Sequence, residues 1–246
     1  MPLPAWPHDR GMTPHPALRA RVRLVGRAAA EALALILPVR CAGCATDGIA
    51  LCDGCRGALT PHVVRRPVAG FAVHAGLAFT GTRARVVRAL KEEGRTGLAR
   101  PLSGALRAAA ASAVAEAVEA CGVSPPGGWT VVCVPASRAA LRRRGFRVVE
   151  LLARRAGLRT SPLLMPTRAT GDQRGLDRLA RARNVAGSLR AGRVQGLSIL
   201  LIDDVVTTGA TLAEARRTLL DAGAAIVAVA ALAATPRRDE TDASTR

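Results

Sequence analysis

The sequence predicts an α/β fold, a parallel sheet with flanking crossover helices and a small cysteine-rich knuckle on its N-terminal side. Three observations predict it. From residue 130 onward, apolar runs of strand length alternate with stretches of helical spacing. One of those runs, at 198–202, is apolar throughout, as a central parallel strand covered on both faces should be. Two Cys-x-x-Cys pairs stand close together at 41–55. A chain of 246 residues can hold one sizeable core and an appendage rather than two full domains.

Taken in order, residues 1–17 are rich in Pro and His without periodicity and read as a disordered leader. Residues 18–37 have helical spacing with an apolar stripe late in the run, so 18–66 is read as an apolar helix plus the knuckle. Arg65, Arg66 and Pro67 read as a linker. The main domain then spans 67–236, with a strand at 70–80 and helices at 83–94 and 98–121, the second ended by Gly122. Further on come a strand at 130–134, a helix at about 147–156, a basic loop, the strand 198–202, a helix at 211–222 and a strand at 225–231. A flexible tail occupies 237–246.

Hydrophobic residues at 49% and charged residues at 22% describe a globular chain, not a disordered one. No stretch approaches the ~20 apolar residues that cross a bilayer. The apolar run at 28–39 contains Glu31, stops at Pro38 and lacks a small-residue cleavage site, so a cytoplasmic protein is expected. The net charge of +18 favours polyanionic partners, either phosphate-rich ligands or nucleic acid. An Ala- and Arg-rich genome would produce the same balance. With three Phe, two Trp and no Tyr, there is little aromatic platform for a dedicated single-strand surface.

The densest chemistry lies at 199–211, ILLIDDVVTTGAT. Asp203 and Asp204 end the apolar strand, where open α/β sheets bind ligands. Adjacent carboxylates repel each other and need a partner, which paired sugar hydroxyls or a divalent cation would provide. Thr207, Thr208, Gly209, Ala210 and Thr211 open the next helix with hydroxyls, free N–H groups and the positive end of the helix dipole. The whole reads as a ribose 5-phosphate site. It is no Walker loop, because no Lys follows the glycine, and no dinucleotide fingerprint. After the strand at 130–134, Ser137, Arg138 and the run Arg142, Arg143, Arg144 could clamp a diphosphate, or the run could be a solvated basic helix face.

Cys41-x-x-Cys44 and Cys52-x-x-Cys55 can bring four thiolates to one tetrahedral site, so Cys41, Cys44, Cys52 and Cys55 are expected to hold a structural Zn²⁺. Disulfides are the competing reading, and a cytoplasmic setting disfavours them. With four protein ligands the metal has no open position for catalysis. Cys121 and Cys133 lie in apolar segments and read as core, and His62 and His74 stand isolated.

Residues 203–211 resemble the signature of the type I phosphoribosyltransferases. That resemblance gives Asp203 and Asp204 the ribose hydroxyls and the reaction, and gives Thr207 through Thr211 the 5-phosphate. The order of a strand ending in Pro135, a basic run and Gly145-Phe146 is similar to the ComF branch of that family. So are Arg168-Ala-Thr170-Gly-Asp-Gln173 with Leu176, Arg181, Asn184 and Val185, and Leu90-Lys91 followed by Gly94. The zinc ribbon behind an apolar helix matches as well. The resemblance implies a type I phosphoribosyltransferase-like sheet, phosphoribosyl diphosphate as ligand with Mg²⁺ on the diphosphate, and a lid at 168–183 that includes Arg168, Gln173 and Arg181. It implies either phosphoribosyl transfer or a non-catalytic module in DNA uptake that binds phosphoribosyl diphosphate or single-stranded DNA, with a helicase as partner. One departure stands out: where the branch continues Arg-Gly-Phe with Asn-Gln, this chain has Arg147 and Val148.

Overall fold

The structure, a computed structural model, describes residues 39–122, 124–167 and 186–236. The expected leader, the apolar helix at 18–37, the lid residues Arg168, Gln173 and Arg181, and the tail at 237–246 lie outside the described residues.

The elements follow in the order α1 (Asp53–Gly57), β1 (Val64–Val68), β2 (Phe71–Ala78), α2 (Gly81–Glu92), α3 (Ala99–Cys121), β3 (Thr130–Cys133), α4 (Arg138–Arg144), α5 (Val148–Arg155), β4 (Leu164–Pro166), β5 (Leu189–Ala191), β6 (Ser198–Val206), α6 (Ala210–Asp221) and β7 (Ile226–Ala234). The main sheet has the order β1-β2-β7-β6-β3. β2, β7, β6 and β3 run parallel, and β1 pairs antiparallel with β2 at the edge. β4 and β5 form a separate antiparallel hairpin. Among the described residues no helix is long and apolar enough to cross a membrane.

β6 lies at the interior of the sheet and its residues from Ile199 to Ile202 are buried. Alternate residues feed two cores. Leu200 and Ile202 join Leu102, Leu106, Val86 and Leu90 from α2 and α3 on one face. Ile199 and Leu201 join Leu212, Ala215 and Leu219 of α6 on the other. This covering of both faces is why the run reads as continuously apolar in sequence.

Three segments differ from the sequence reading. Residues 64–68 are an edge strand, not a linker; Pro67 is tolerated because an edge strand pairs on one side only. Residues 138–144 form a short helix, capped by Ser137 Oγ on Ala140 N at 3.1 Å and closed by Gly145 in the left-handed region at φ 74°. Cys121 is exposed where α3 outruns the sheet, whereas Cys133 is buried as expected. His74 is also structural: Nδ1 meets Ser112 Oγ at 2.9 Å, and Nε2 lies 3.0 Å from Glu116, which Arg65 grips with two hydrogen bonds.

Candidate functional site

Parallel strands place their carboxyl ends on one edge, and β6 carries the chemistry there. The strand continues to Val206, four residues past the apolar run, so Asp203 and Asp204 are still in the ladder beside β7. Asp203 Oδ1 accepts from Asp204 N at 2.7 Å, and Asp204 Oδ1 accepts from Val205 N at 2.6 Å. Burial, followed by the charge of Asp204, pushes the Asp203 carboxyl up to about 8, against the opposing pull of the Asp204 N–H and Lys91. Sequence reasoning did not include Lys91 in this site. It reaches from α2 to put Nζ 2.9 Å from Asp204 Oδ2.

Beyond Val206, Thr207 and Thr208 are exposed and Gly209 is the N-cap of α6. Gly209 is required twice over. Its φ of 80° lies in the left-handed region, and a Cβ there would stand 2.3 Å from Cγ1 of Val68 on β1. Gly209 brings no capping side chain, and of the first turn Ala210 N donates a long 3.4 Å hydrogen bond to Thr208 Oγ1. The start of α6 thus offers N–H groups and the positive end of the helix dipole to an anion. Arg66 of β1 braces the loop from outside. Its Nη2 donates to Thr207 O at 2.6 Å, and its Nη1 donates to the carbonyl and hydroxyl of Thr235.

β3 neighbours β6, so the loop after Cys133 opens on the same edge. Ser137 and Arg138 begin α4 there. Arg144 lies six residues on, roughly 9 Å along the axis and on another face of the helix. Its Nε is buried without a hydrogen-bond partner among the described residues, while Arg142 and Arg143 are exposed. A separate groove of about 880 Å³ lies along α5 and includes Phe146, Arg147, Arg154, Arg155, Arg159 and Thr160 in its lining. The ends of the segment expected to be the lid are joined at the β4–β5 hairpin, where Thr167 N donates to Ser188 O at 2.8 Å. Glu214 of α6 accepts from Gly187 N at 2.7 Å and ties that hairpin to the phosphate-loop helix.

The four knuckle cysteines come together as the spacing predicts. The Sγ atoms of Cys41, Cys44, Cys52 and Cys55 lie within 4.8 Å of one another. Burial pushes the Cys41 thiol up, but N–H groups of Cys52, Cys44 and Gly43 outweigh it and bring it down to about 5. Cys55 goes the other way, to about 12, through burial and the neighbouring sulfurs. Hydrogen bonds to Thr46 lower the Cys44 thiol as well, so a cluster with two thiols made ready to ionise beside one held up by burial and neighbouring sulfurs fits a dication. Gly43 is needed here, since a Cβ would come 2.5 Å from Cys55 Sγ. The cluster can hold a zinc ion as a closed four-sulfur site. The knuckle is clamped to α2 and the turn after it: Arg83 Nε donates to Ala58 O at 2.8 Å, Arg85 Nε to Gly43 O, and Arg95 Nη2 to Arg40 O and Ala50 O at 2.8 Å each.

Residues 139–245 match the family described as the phosphoribosyl transferase domain. The chain carries a phosphoribosyltransferase-type domain. It is 38% identical over 105 residues to the DNA utilization protein YhgH of Salmonella typhi, covering 40% of this chain and 46% of that protein. The YhgH of Escherichia coli (strain K12) matches to the same extent, 38% over 105 residues. The chain spans about half the length of the curated relatives it matches. The four-cysteine cluster lies ahead of that domain, the arrangement of the ComF branch that the sequence resembles. Among solved structures, the hypoxanthine-guanine phosphoribosyl transferase of L. donovani is 17% identical over 56% of this chain and 77% of that one, at a TM-score of 0.30.

Proposed function

We propose that this protein binds phosphoribosyl diphosphate, or a related ribose 5-phosphate, at the carboxyl end of β6. One observation carries the reading: a strand with a partly covered acid pair near its carboxyl end leads, through Thr207 and Thr208, into a helix N-terminus whose cap position only a glycine fits. Asp203 and Asp204 accept hydrogen bonds from the ribose hydroxyls, and Thr207, Thr208, Gly209, Ala210 and Thr211 hold the 5-phosphate. Ser137, Arg138 and Arg144 serve the diphosphate, and Arg168, Gln173 and Arg181 cover it. A Mg²⁺ ion bound with the diphosphate would neutralise part of its charge. Transfer would break the bond from the anomeric carbon to the diphosphate oxygen, through an oxocarbenium-like state, and form a bond from that carbon to a nitrogen of the acceptor base, with diphosphate as the leaving group. The chain's own contribution is positioning and charge stabilisation, with Asp203 and Asp204 facing the developing cation. The setting in this reading is the cytoplasm, which also keeps the four thiols reduced for metal.

Calorimetry with phosphoribosyl diphosphate and Mg²⁺ tests the reading. Binding in the range of about 1 μM to 1 mM is expected, weakened at least ~10-fold by Asp204→Ala. No binding, or binding indifferent to that change, contradicts it. Release of diphosphate with one of a panel of bases marks an enzyme.

A second reading, a non-catalytic module in DNA uptake that contacts single-stranded DNA and a helicase, is favoured by the groove along α5. There Arg147, Arg154, Arg155 and Arg159 line the groove with a half-buried Phe146 and with Glu150, a mainly cationic lining with one aromatic ring of the kind single strands use. Binding without turnover, joined to a DNA affinity that falls steeply with salt, selects this reading. The name of the relatives, DNA utilization protein, is compatible with it.

A further inference from the structure

Lys91 is the chain's only lysine. It lies near the end of α2 between buried Leu90 and the last residue of the helix, Glu92. Its side chain is 20% exposed and that of Asp204 is 14% exposed, so the 2.9 Å pair is not an ordinary surface bridge. Covering a lysine this far costs hydration and rotamer freedom, and only a specific anionic partner offsets that. Asp204 Oδ1 is already committed to Val205 N, and Lys91 takes the other oxygen. The carboxylate is thus fixed at both atoms, with lone pairs remaining for further donors. Asp203 is held in turn by the Asp204 N–H. The element that delivers the ammonium is rigid: Val86, Val87 and Leu90 of α2 are fully covered, and Arg83, Arg85 and Arg95 tie it to the cysteine knuckle.

We propose that Lys91 is a positioning residue of the ribose-phosphate site, fixing the Asp204 carboxylate in the orientation that meets the sugar hydroxyls and balancing the charge of the acid pair. The proposal rests on the ribose-phosphate reading above. Ring hydroxyls bring no charge, so they can donate to Asp204 while the ion pair stays intact. Lys91 acts through Asp204 and touches no reacting atom.

The test uses two probes on the whole protein. Ribose 5-phosphate, followed by calorimetry, needs both the acid pair and the phosphate loop. Inorganic phosphate, followed by ³¹P line broadening, needs the loop alone. Lys91→Met is expected to weaken ribose 5-phosphate about 10- to 100-fold and to leave inorganic phosphate within about twofold, the latter also reporting an intact fold. Lys91→Arg should restore most of the loss. In an Asp204→Asn background, Lys91→Met should have little further effect, because the two residues act as one unit. Unchanged or tighter ribose 5-phosphate binding by Lys91→Met would overturn the proposal, the latter by showing that the ammonium competes with the sugar. Equal loss of both probes, or an undiminished loss in the Asp204→Asn background, would overturn it too. If the wild-type protein fails to bind ribose 5-phosphate, the ribose-phosphate reading itself falls, a result distinct from every outcome that separates the variants.

Discussion

Asp203→Asn is expected to make the protein more stable at pH 8 and unable to hold a ribose phosphate. The two effects share one cause. Burial and the adjacent Asp204 charge hold the Asp203 carboxyl at about 8, well above its ordinary value of 3.8. The folded protein therefore binds this proton more tightly than the unfolded chain does. The contribution to stability is full below about pH 4 and is lost as pH rises through about 8. Asparagine keeps the shape and an acceptor oxygen for the Asp204 N–H, and removes the ionisation. Because Asp203 keeps some exposure and Lys91 offsets part of the repulsion, the gain is expected to be about 1–2 kcal/mol at pH 8, or several degrees in melting temperature, shrinking towards pH 5. Affinity for a ribose phosphate should fall about 100-fold at pH 8 and above, where the carboxylate form that can accept from both hydroxyls is replaced by an amide that presents donors to them. Thermal melts of both proteins from pH 5 to 9 check the first half, and calorimetry checks the second. A variant that is less stable at every pH contradicts the account of the acid pair as a strained functional feature.

Stripping metal from the knuckle is the second large effect. Cys41, Cys55, Leu51 and Leu59 belong to the same core as Val86, Val87 and Leu90, so the knuckle is packed on the domain. Yet its own segment has only a five-residue helix and a few turns to hold it. Without a cation, burial and then the neighbouring sulfurs drive Cys55 up to about 12. Small structural zinc sites carry apparent binding energies of ~10–16 kcal/mol, which is folding energy. Metal analysis should find one zinc per chain. Chelation is expected to expose all four cysteines to a thiol reagent and to lower the melting temperature by more than about 10 °C. Cys55→Ser should do the same without chelator. Protein that purifies without zinc, and melts at the same temperature with chelator, contradicts the metal assignment.

What could be read from sequence followed where the information is local. The apolar β6 run, the opening of α6 after Gly209 and the cysteine spacing are each set by neighbours in the chain; the cysteines gather as read, while the strand runs past its apolar stretch through the acid pair to Val206. Residues 64–68 misled because Arg-Arg-Pro carries the composition of a linker. What makes them a strand is the tight hairpin to β2, turned at Ala69 and Gly70, together with the long-range bonds from Arg66 to Thr207 and Thr235. The helix at 138–144 did leave a local signal, Ser137 as cap and Gly145 as stop, which the arginine run obscured. The pairing of Lys91 with Asp204 left no such signal. The two are brought together only by α2 packing over the end of the sheet, and no periodicity reports a contact of that range.

The most direct measurement is a titration of ribose 5-phosphate into ¹⁵N-labelled protein, followed through backbone amides. The account predicts that the largest shifts fall on Thr207, Thr208, Gly209, Ala210 and Thr211, with smaller ones at Asp203 and Asp204. Shifts confined to the α5 groove around Arg147, Arg154 and Arg159, with the loop after β6 silent, would contradict it.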